Sequence, residues 1–166
     1  MKGYLLDTNH VAAWEKQAPT FMAKVGAIPS GEDLPKVCAI TIGEVEAGHA
    51  INPTTNQARR DEFEKFVRVK LHPTALDVRI TTRVKYAEII RRLVAKHPKS
   101  PSENIGKYLS RIGVDVNDVW IVAVAWEHNL TLLTTDKMEK IRDAVPEVDF
   151  DDWWPEHSVP ATSSGP

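Results

Sequence analysis

Hydrophobic residues along the chain fall into short apolar runs and longer stretches with helical spacing. Three short runs, Tyr4–Leu6, residues 36–40 (KVCAI) and residues 130–135 (LTLLTT), are each followed by polar residues. Runs of this kind are typical of buried strands in a parallel sheet. Two weaker strands are predicted at residues 72–76 and 148–150.

Helical patterns fill the intervals between these strands. They cover residues 10–17, 19–27, 41–50, 57–71, 77–97, 102–111, 117–128 and a short stretch from 137. The helix that Asp77 is predicted to cap has an apolar stripe that includes Ile80 and Val84, and the helix at 117–128 is apolar on nearly all sides. Alternating strands and helices predict an α/β fold, a three-layer α/β/α sandwich with a mostly parallel sheet of four or five strands.

Composition limits the class of protein. The chain has 166 residues, 42% of them hydrophobic and 27% charged, which favours one globular domain over residues 1–153 and a disordered tail at 154–166. No apolar run approaches the roughly 20 residues of a membrane-spanning helix, and residues 2–6 are too short for a signal-peptide core, so we expect a cytoplasmic protein. Cys38 is the only cysteine, and its apolar neighbours predict that it is buried.

Charge limits the contacts with nucleic acid. The formal net charge of -2 argues against a global positive field that would hold nucleic acid, so any such contact is local. Basic residues concentrate at 59–70 and 79–96, with glutamates interspersed. We interpret both stretches as solvated faces of helices.

Four acidic residues fall at one predicted edge of the sheet. Asp7 follows the first strand, Glu44 lies in the first turn of the helix after the second strand, and Asp136 follows the fourth strand. Asp118 opens the apolar helix that leads into that fourth strand, and such a helix begins at the carboxyl edge of the sheet. Open α/β sheets bind their ligands at this edge.

Each acid also has a structural interpretation as part of a helix cap. Asp7 and Asp136 precede predicted helices, residues 41–44 (TIGE) fit a capping box, and Asn117 is the predicted cap of the helix that contains Asp118. Four unrelated caps have no reason to be carboxylates that face one cleft. We therefore favour a shared site.

A cluster of four carboxylates implies a cation, because like charges at short range disfavour ionisation. Mg²⁺ or Mn²⁺ suits this donor set, since a hard divalent ion takes carboxylate oxygens and keeps waters and phosphate as further ligands. The sequence contains no histidine or cysteine cluster that would favour zinc. Such a site polarises a phosphate and activates a water for attack on phosphorus.

The same residues lie in motifs that resemble those of the PIN-domain ribonucleases, and within them the VapC-type toxins of bacterial toxin-antitoxin pairs. The motifs are LLDTN at 5–9, ITIGEVEAG at 40–48, NDVWIVAVAWEHNLTLLTTD at 117–136 and VDFDDW at 148–153. Their order and spacing are specific, whereas any one of them alone is weak. The resemblance covers nearly the whole chain to about Trp153; the segment at 97–112 is longer than in a minimal PIN domain.

The resemblance implies a PIN-like fold and a metal-dependent endoribonuclease. Its catalytic and metal-binding residues would be Asp7, Glu44, Asp118 and Asp136. It assigns Asn9 and Thr134 to the positioning of substrate or of a ligand water, and leaves Thr8 and Asn117 as weaker candidates that we interpret as backbone caps.

The resemblance also implies partners. These are an RNA substrate, with transfer RNA as the class it suggests, a second copy of the chain in a homodimer, and a cognate antitoxin that blocks the metal cleft. The alternative is a catalytically inactive PIN-like fold that serves as a binding or scaffold module.

Overall fold

The computed structural model describes residues 2–52 and 56–154, and the account of the structure refers to these residues. The strands are β1 (Tyr4–Leu6), β2 (Lys36–Cys38), β3 (Ala75–Leu76), β4 (Thr131–Leu133) and β5 (Phe150–Asp151). The helices are α1 (Thr8–Glu15), α2 (Pro19–Gly26), α3 (Ala39–Ile51), α4 (Gln57–Phe66), α5 (Thr82–Lys96), α6 (Ile105–Arg111), α7 (Val116–Glu127) and α8 (Glu139–Ala144). A π-helical turn, Val67–Leu71, and a 3-10 turn, His72–Thr74, connect α4 to β3.

The five strands form one parallel sheet in the order β3-β2-β1-β4-β5, which confirms the predicted sheet. The first strand is central, because it pairs with β2 on one side and with β4 on the other. Its carboxyl end therefore meets the carboxyl ends of both neighbours. This is the edge at which the sequence places Asp7 and Asp136.

Helices cover both faces of the sheet, which confirms the three-layer sandwich. Leu5 and Leu6 are both fully buried, and successive side chains of a strand point to opposite faces. Leu5 belongs to a core with residues of α5, α6, α7 and α8, and Leu6 belongs to a core with residues of α1, α2, α3 and α4. Cys38 lies fully buried in the first core, as predicted.

The chain beyond the sheet also contributes to the second core. Trp153 and Trp154 are both buried there. The rest of the predicted tail, residues 155–166, lies outside the described residues. Within the described ranges, each helix is too short or too polar to cross a lipid bilayer.

The start of α5 differs from the prediction. Asp77 does not cap this helix; Thr81 occupies the N-cap position without a side-chain capping bond, eight residues before Ile89, the first buried aliphatic residue of the helix. Ile80 is 78% exposed and Val84 is 56% exposed, whereas Ile89, Ile90 and Leu93 are buried. The hydroxyls of Thr81 and Thr82 donate to the carboxylate of Glu127 on α7, so polar contacts fix this end of the helix.

Candidate active site

Asp7 is both a helix cap and one of the four predicted acids at the carboxyl edge of the sheet. We call these four residues, Asp7, Glu44, Asp118 and Asp136, the acidic edge. It follows β1 directly, its backbone N–H donates to Leu133 O at 3.0 Å, and its side chain is only 3% exposed. One carboxylate oxygen accepts the Thr8 backbone N–H at 2.7 Å, and the other accepts the Thr134 hydroxyl at 2.7 Å. Burial raises the pKa of Asp7, although these two hydrogen bonds act in the opposite direction. The interpretation of Asp7 as a helix cap is confirmed, and the negative charges of Asp136 and Glu44 also raise the pKa of this carboxylate.

Thr134 connects the ends of the two central strands. Its hydroxyl donates to Asp7 Oδ2 and accepts the backbone N–H of Asp136 at 3.0 Å. Thr134 is 1% exposed, so it fixes both acids from beneath the surface. This contact fits the positioning role that the family resemblance implies.

Glu44 lies on α3 and is held by two side chains from other helices. Because α3 begins at Ala39 with Cys38 as its cap, Glu44 falls in the second turn, and residues 41–44 do not form a capping box. Its carboxylate accepts the Thr8 hydroxyl at 2.5 Å and the Asn117 side-chain amide at 2.7 Å. Glu44 therefore joins the first turns of α1 and α7.

The interpretation of Asn117 as a helix cap is wrong. Asp115 caps α7, and its side chain accepts the backbone N–H of Asn117 at 2.7 Å. The side chain of Asn117 is thereby released to bind Glu44. Thr8 likewise uses its hydroxyl for Glu44 rather than for a cap. An acid two residues before Asn117 was the signal in the sequence that could have assigned the cap correctly.

Asp118 has no hydrogen-bond donor among the described residues, and it is half-buried in the first turn of α7. Burial, and then the negative charge of Asp7, raise the pKa of Asp118 to about 7. Asp115, Asp136 and Glu44 act in the same direction. The four predicted acids are therefore within electrostatic reach of one another.

Asp136 stands at the exposed rim of the cluster. It does not cap a helix at Lys137, because α8 begins at Glu139 after Met138, whose φ is 43°. Asn9 donates its side-chain amide to Asp136 Oδ2 at 3.3 Å, so Asn9 connects α1 to this acid. The six predicted site residues thus meet at one edge of the sheet.

The donor chemistry of the cluster fits Mg²⁺ or Mn²⁺. In the part of the chain that the structure describes, no three His, Cys, Asp or Glu side chains form a ready-made ligand set. The carboxylates of Asp7 and Glu44 each accept two hydrogen bonds and retain further lone pairs, and Asp118 has both oxygens available. Mg²⁺ keeps several waters and binds through one or two carboxylates, so the oxygen donors present are of the type that fits such an ion.

A family model described as PIN domain matches residues 4–144. No curated protein matches the chain. Solved structures do match, and at the identities found they show a shared fold.

Three of these solved structures are similar over almost their whole length. VapBC2 from Rickettsia felis, bound to a DNA fragment from its promoter, is 16% identical, with a TM-score of 0.66, over 90% of this chain and 98% of that one. DNA-bound VapBC from Salmonella typhimurium is 18% identical, with a TM-score of 0.65, over 92% and 99%. FitAcB from Neisseria gonorrhoeae is 22% identical, with a TM-score of 0.63, over 91% and 98%.

Proposed function

The chain belongs to the PIN-domain family, and from this premise we propose that it is a metal-dependent endoribonuclease that acts as the toxin of a toxin-antitoxin pair. One observation carries the proposal. Asp7, Glu44, Asp118 and Asp136 are within electrostatic reach at the carboxyl edge of the sheet, and the pKa of Asp118 is raised to about 7. Perturbed carboxylates in a cleft are typical of catalytic and metal-binding sites.

The proposed metal ligands are these four acids, with Asp118 the one whose oxygens accept no hydrogen bond from the described residues. A bound Mg²⁺ or Mn²⁺ ion supplies positive charge for the scissile phosphate and lowers the pKa of a water. The chain itself supplies orientation. Thr134 fixes Asp7, while Thr8 and Asn117 fix Glu44.

Asn9 has a separate proposed role at the rim. Its amide donates one N–H to Asp136, and a side-chain amide carries a second N–H and a carbonyl oxygen. We assign these remaining groups to the substrate or to a ligand water. The proposed substrate is RNA, with transfer RNA as its first candidate class.

The proposed partners are a cognate antitoxin and a second copy of the chain. Similarity to the VapBC structures from two bacteria supports the antitoxin, together with the VapC-type motifs of the sequence. The test for the antitoxin is whether a short reading frame for a DNA-binding protein lies immediately upstream of the gene, followed by co-expression of that frame with this chain. Co-purification of the two chains and loss of RNA cleavage are the expected results.

The test of the enzymatic activity is cleavage of purified RNA in Mg²⁺ or Mn²⁺ by the wild-type chain and by Asp7→Asn. We expect cleavage by the wild type, its loss in EDTA, and its loss in Asp7→Asn with an unchanged circular-dichroism spectrum. Cleavage that persists in EDTA or in Asp7→Asn would contradict the proposal. RNA binding without cleavage under every metal condition would support the binding-module alternative instead.

The RNA target can be identified in cells. Brief induction of the wild-type chain, followed by sequencing of new RNA 5′ ends, should reveal a small set of cut sites. Asp7→Asn, induced in the same way, is the matched control. New ends that occur equally with Asp7→Asn would show that the cuts come from another nuclease.

A further inference from the structure

A cavity of about 290 Å³ opens beside Asp118. It is lined by Gly113, Val114, Asp118 and residues 137–141, so it lies between the chain that precedes α7 and the start of α8. The cavity shares Asp118 with the acidic edge. It therefore adjoins the place where the proposed function puts the scissile phosphate.

Two lysines line this cavity, and they differ in their contacts. The ammonium group of Lys140 donates a hydrogen bond to the backbone oxygen of Ile112 and so contacts the segment after α6. Lys137 is exposed and makes no hydrogen bond or ion pair with the described residues. It follows Asp136 directly in the chain. Lys137 therefore carries a positive charge that is not paired with any described residue. It is adjacent to Asp136 in the chain and lines the same cavity as Asp118.

The turn that carries Lys137 is held in an unusual backbone conformation. Met138 has a φ of 43°, in the left-handed region that residues other than glycine rarely adopt. The Met138 side chain packs against the buried core, and its backbone oxygen accepts the Arg142 N–H at 2.9 Å. The Arg142 guanidinium also donates to Asp136 O at 3.2 Å. These contacts fix the residues on either side of Lys137, so its backbone is held at the rim of the cavity.

The chain needs such a charge if it binds RNA. The acidic edge repels the phosphates that flank the scissile bond, and the net charge of -2 provides no general attraction. Glu139 also lines the cavity, and because Glu139 and Lys137 are both exposed, water and salt screen both charges, so the expected contribution of Lys137 is that of one exposed charge contact. A compact ammonium group with three donors suits a phosphate contact.

We propose that the cavity beside Asp118 is a phosphate subsite for the RNA strand, and that Lys137 binds the phosphate next to the scissile one. This inference rests on the proposed ribonuclease function. It assigns Lys137 to substrate binding, whereas the four acids carry the reaction. It also predicts that the strand enters or leaves the acidic edge over the start of α8.

The test compares Lys137→Met with the wild type in steady-state cleavage of one RNA. The methionine keeps an unbranched stem and removes the charge. We expect KM to rise about fivefold, as for the loss of one exposed charge contact, with kcat within about twofold. Lys137→Arg should restore KM. Lys24→Met is the matched control, because Lys24 is an exposed lysine on α2 that lines a cavity with Tyr4, at the opposite end of β1.

A second measurement separates this inference from the proposed function. RNA binding by the Asp7→Asn protein is measured over a range of salt concentrations, with and without Lys137→Met. Removing one phosphate contact to a single strand should reduce the slope of log affinity against log salt by about 0.7. An unchanged slope and KM would overturn the phosphate subsite, even if the wild type cleaves RNA. If the wild type neither cleaves nor binds RNA, both proposals fail.

Discussion

The two sides of the acidic edge differ in how their carboxylates are held. Glu44, on the α3 side, accepts hydrogen bonds from Thr8 of α1 and from Asn117 of α7. Asp118, on the α7 side, accepts none from the described residues, and its pKa is raised to about 7. One side is already organised by the protein, whereas the other carries charge that the protein leaves uncompensated. If the proposed metal ion binds, its positive charge would compensate the carboxylate of Asp118.

This arrangement has a physical logic. A carboxylate held by two donors is fixed in orientation before any ligand arrives, so it loses little conformational entropy on binding. A half-buried carboxylate without donors is destabilised in its charged form. A divalent cation recovers that unfavourable energy when it binds. We therefore expect Glu44 to determine geometry and Asp118 to determine affinity for the metal.

The largest expected effect is that of Asp118→Asn on metal binding and catalysis. Removing this ligand should lower Mn²⁺ affinity and kcat/KM by at least about a hundredfold, because loss of even an outer-shell partner costs about 10- to 100-fold. Isothermal titration with Mn²⁺ and RNA cleavage measure the two quantities. Asp33→Asn, at an exposed acid paired with Lys36, is the control and should match the wild type. Wild-type Mn²⁺ affinity in Asp118→Asn would remove the distinction between the two sides.

Asn117→Ala tests the organised side. It leaves one oxygen of Glu44 without its donor, so we expect kcat/KM to fall about 10- to 100-fold, with a smaller change in Mn²⁺ affinity than in Asp118→Asn. Asp115→Ala is the matched comparison at the same helix start. It removes the cap and should lower the free energy of unfolding by about 1 kcal/mol, with most of the activity retained. Equal losses of activity in both variants would show that Asn117 acts only through the helix.

The sequence predicts much of the fold and the four residues of the acidic edge, and the predictions that proved wrong concern helix caps. Strand and helix periods are local, so the parallel sheet and its carboxyl edge follow from the apolar runs. Asn117 and Asp115 are both good cap residues, so the sequence offered two competing signals, and the structure shows that Asp115 is the one that accepts the backbone N–H. The exposure of Ile80 was likewise unpredictable, because contacts to Glu127 determine where α5 starts.

The free energy of unfolding should depend on pH through Asp118. Because its folded-state pKa of about 7 lies above the ordinary value of 3.8, the unfolded chain releases this proton first. The metal-free protein therefore loses stability as pH rises from about 4 to about 7, and the loss is complete above that range. For a fully buried carboxyl group, this difference in pKa would lower the free energy of unfolding by roughly 4 kcal/mol. Since Asp118 is only half-buried, solvent screening reduces the expected figure to about 1–2 kcal/mol.

Asp118→Asn removes the ionisable group that causes this loss of stability, so the prediction can be measured by comparing the variant with the wild type. Urea denaturation of the metal-free proteins should show the variant more stable than the wild type at pH 8 and equal to it at pH 4. Saturating Mn²⁺ should stabilise the wild type and remove the difference. A variant that is less stable than the wild type at pH 8 would contradict an uncompensated charge on this side.

The smallest expected effect is that of Asp115→Asn on the pKa of Asp118. Asparagine is as good an N-cap as aspartate, so the substitution keeps the start of α7 and removes one of the negative charges that raise this pKa. We expect the pKa of Asp118 to fall by about 0.3, as for one screened charge nearby. Carboxyl ¹³C resonances in the metal-free protein, followed from pH 4 to 9, provide the measurement. Asp149→Asn, which removes the exposed partner of Lys2, should leave this pKa unchanged. If both substitutions lower it equally, the raised pKa reflects the overall charge of the chain rather than the arrangement of acids around α7.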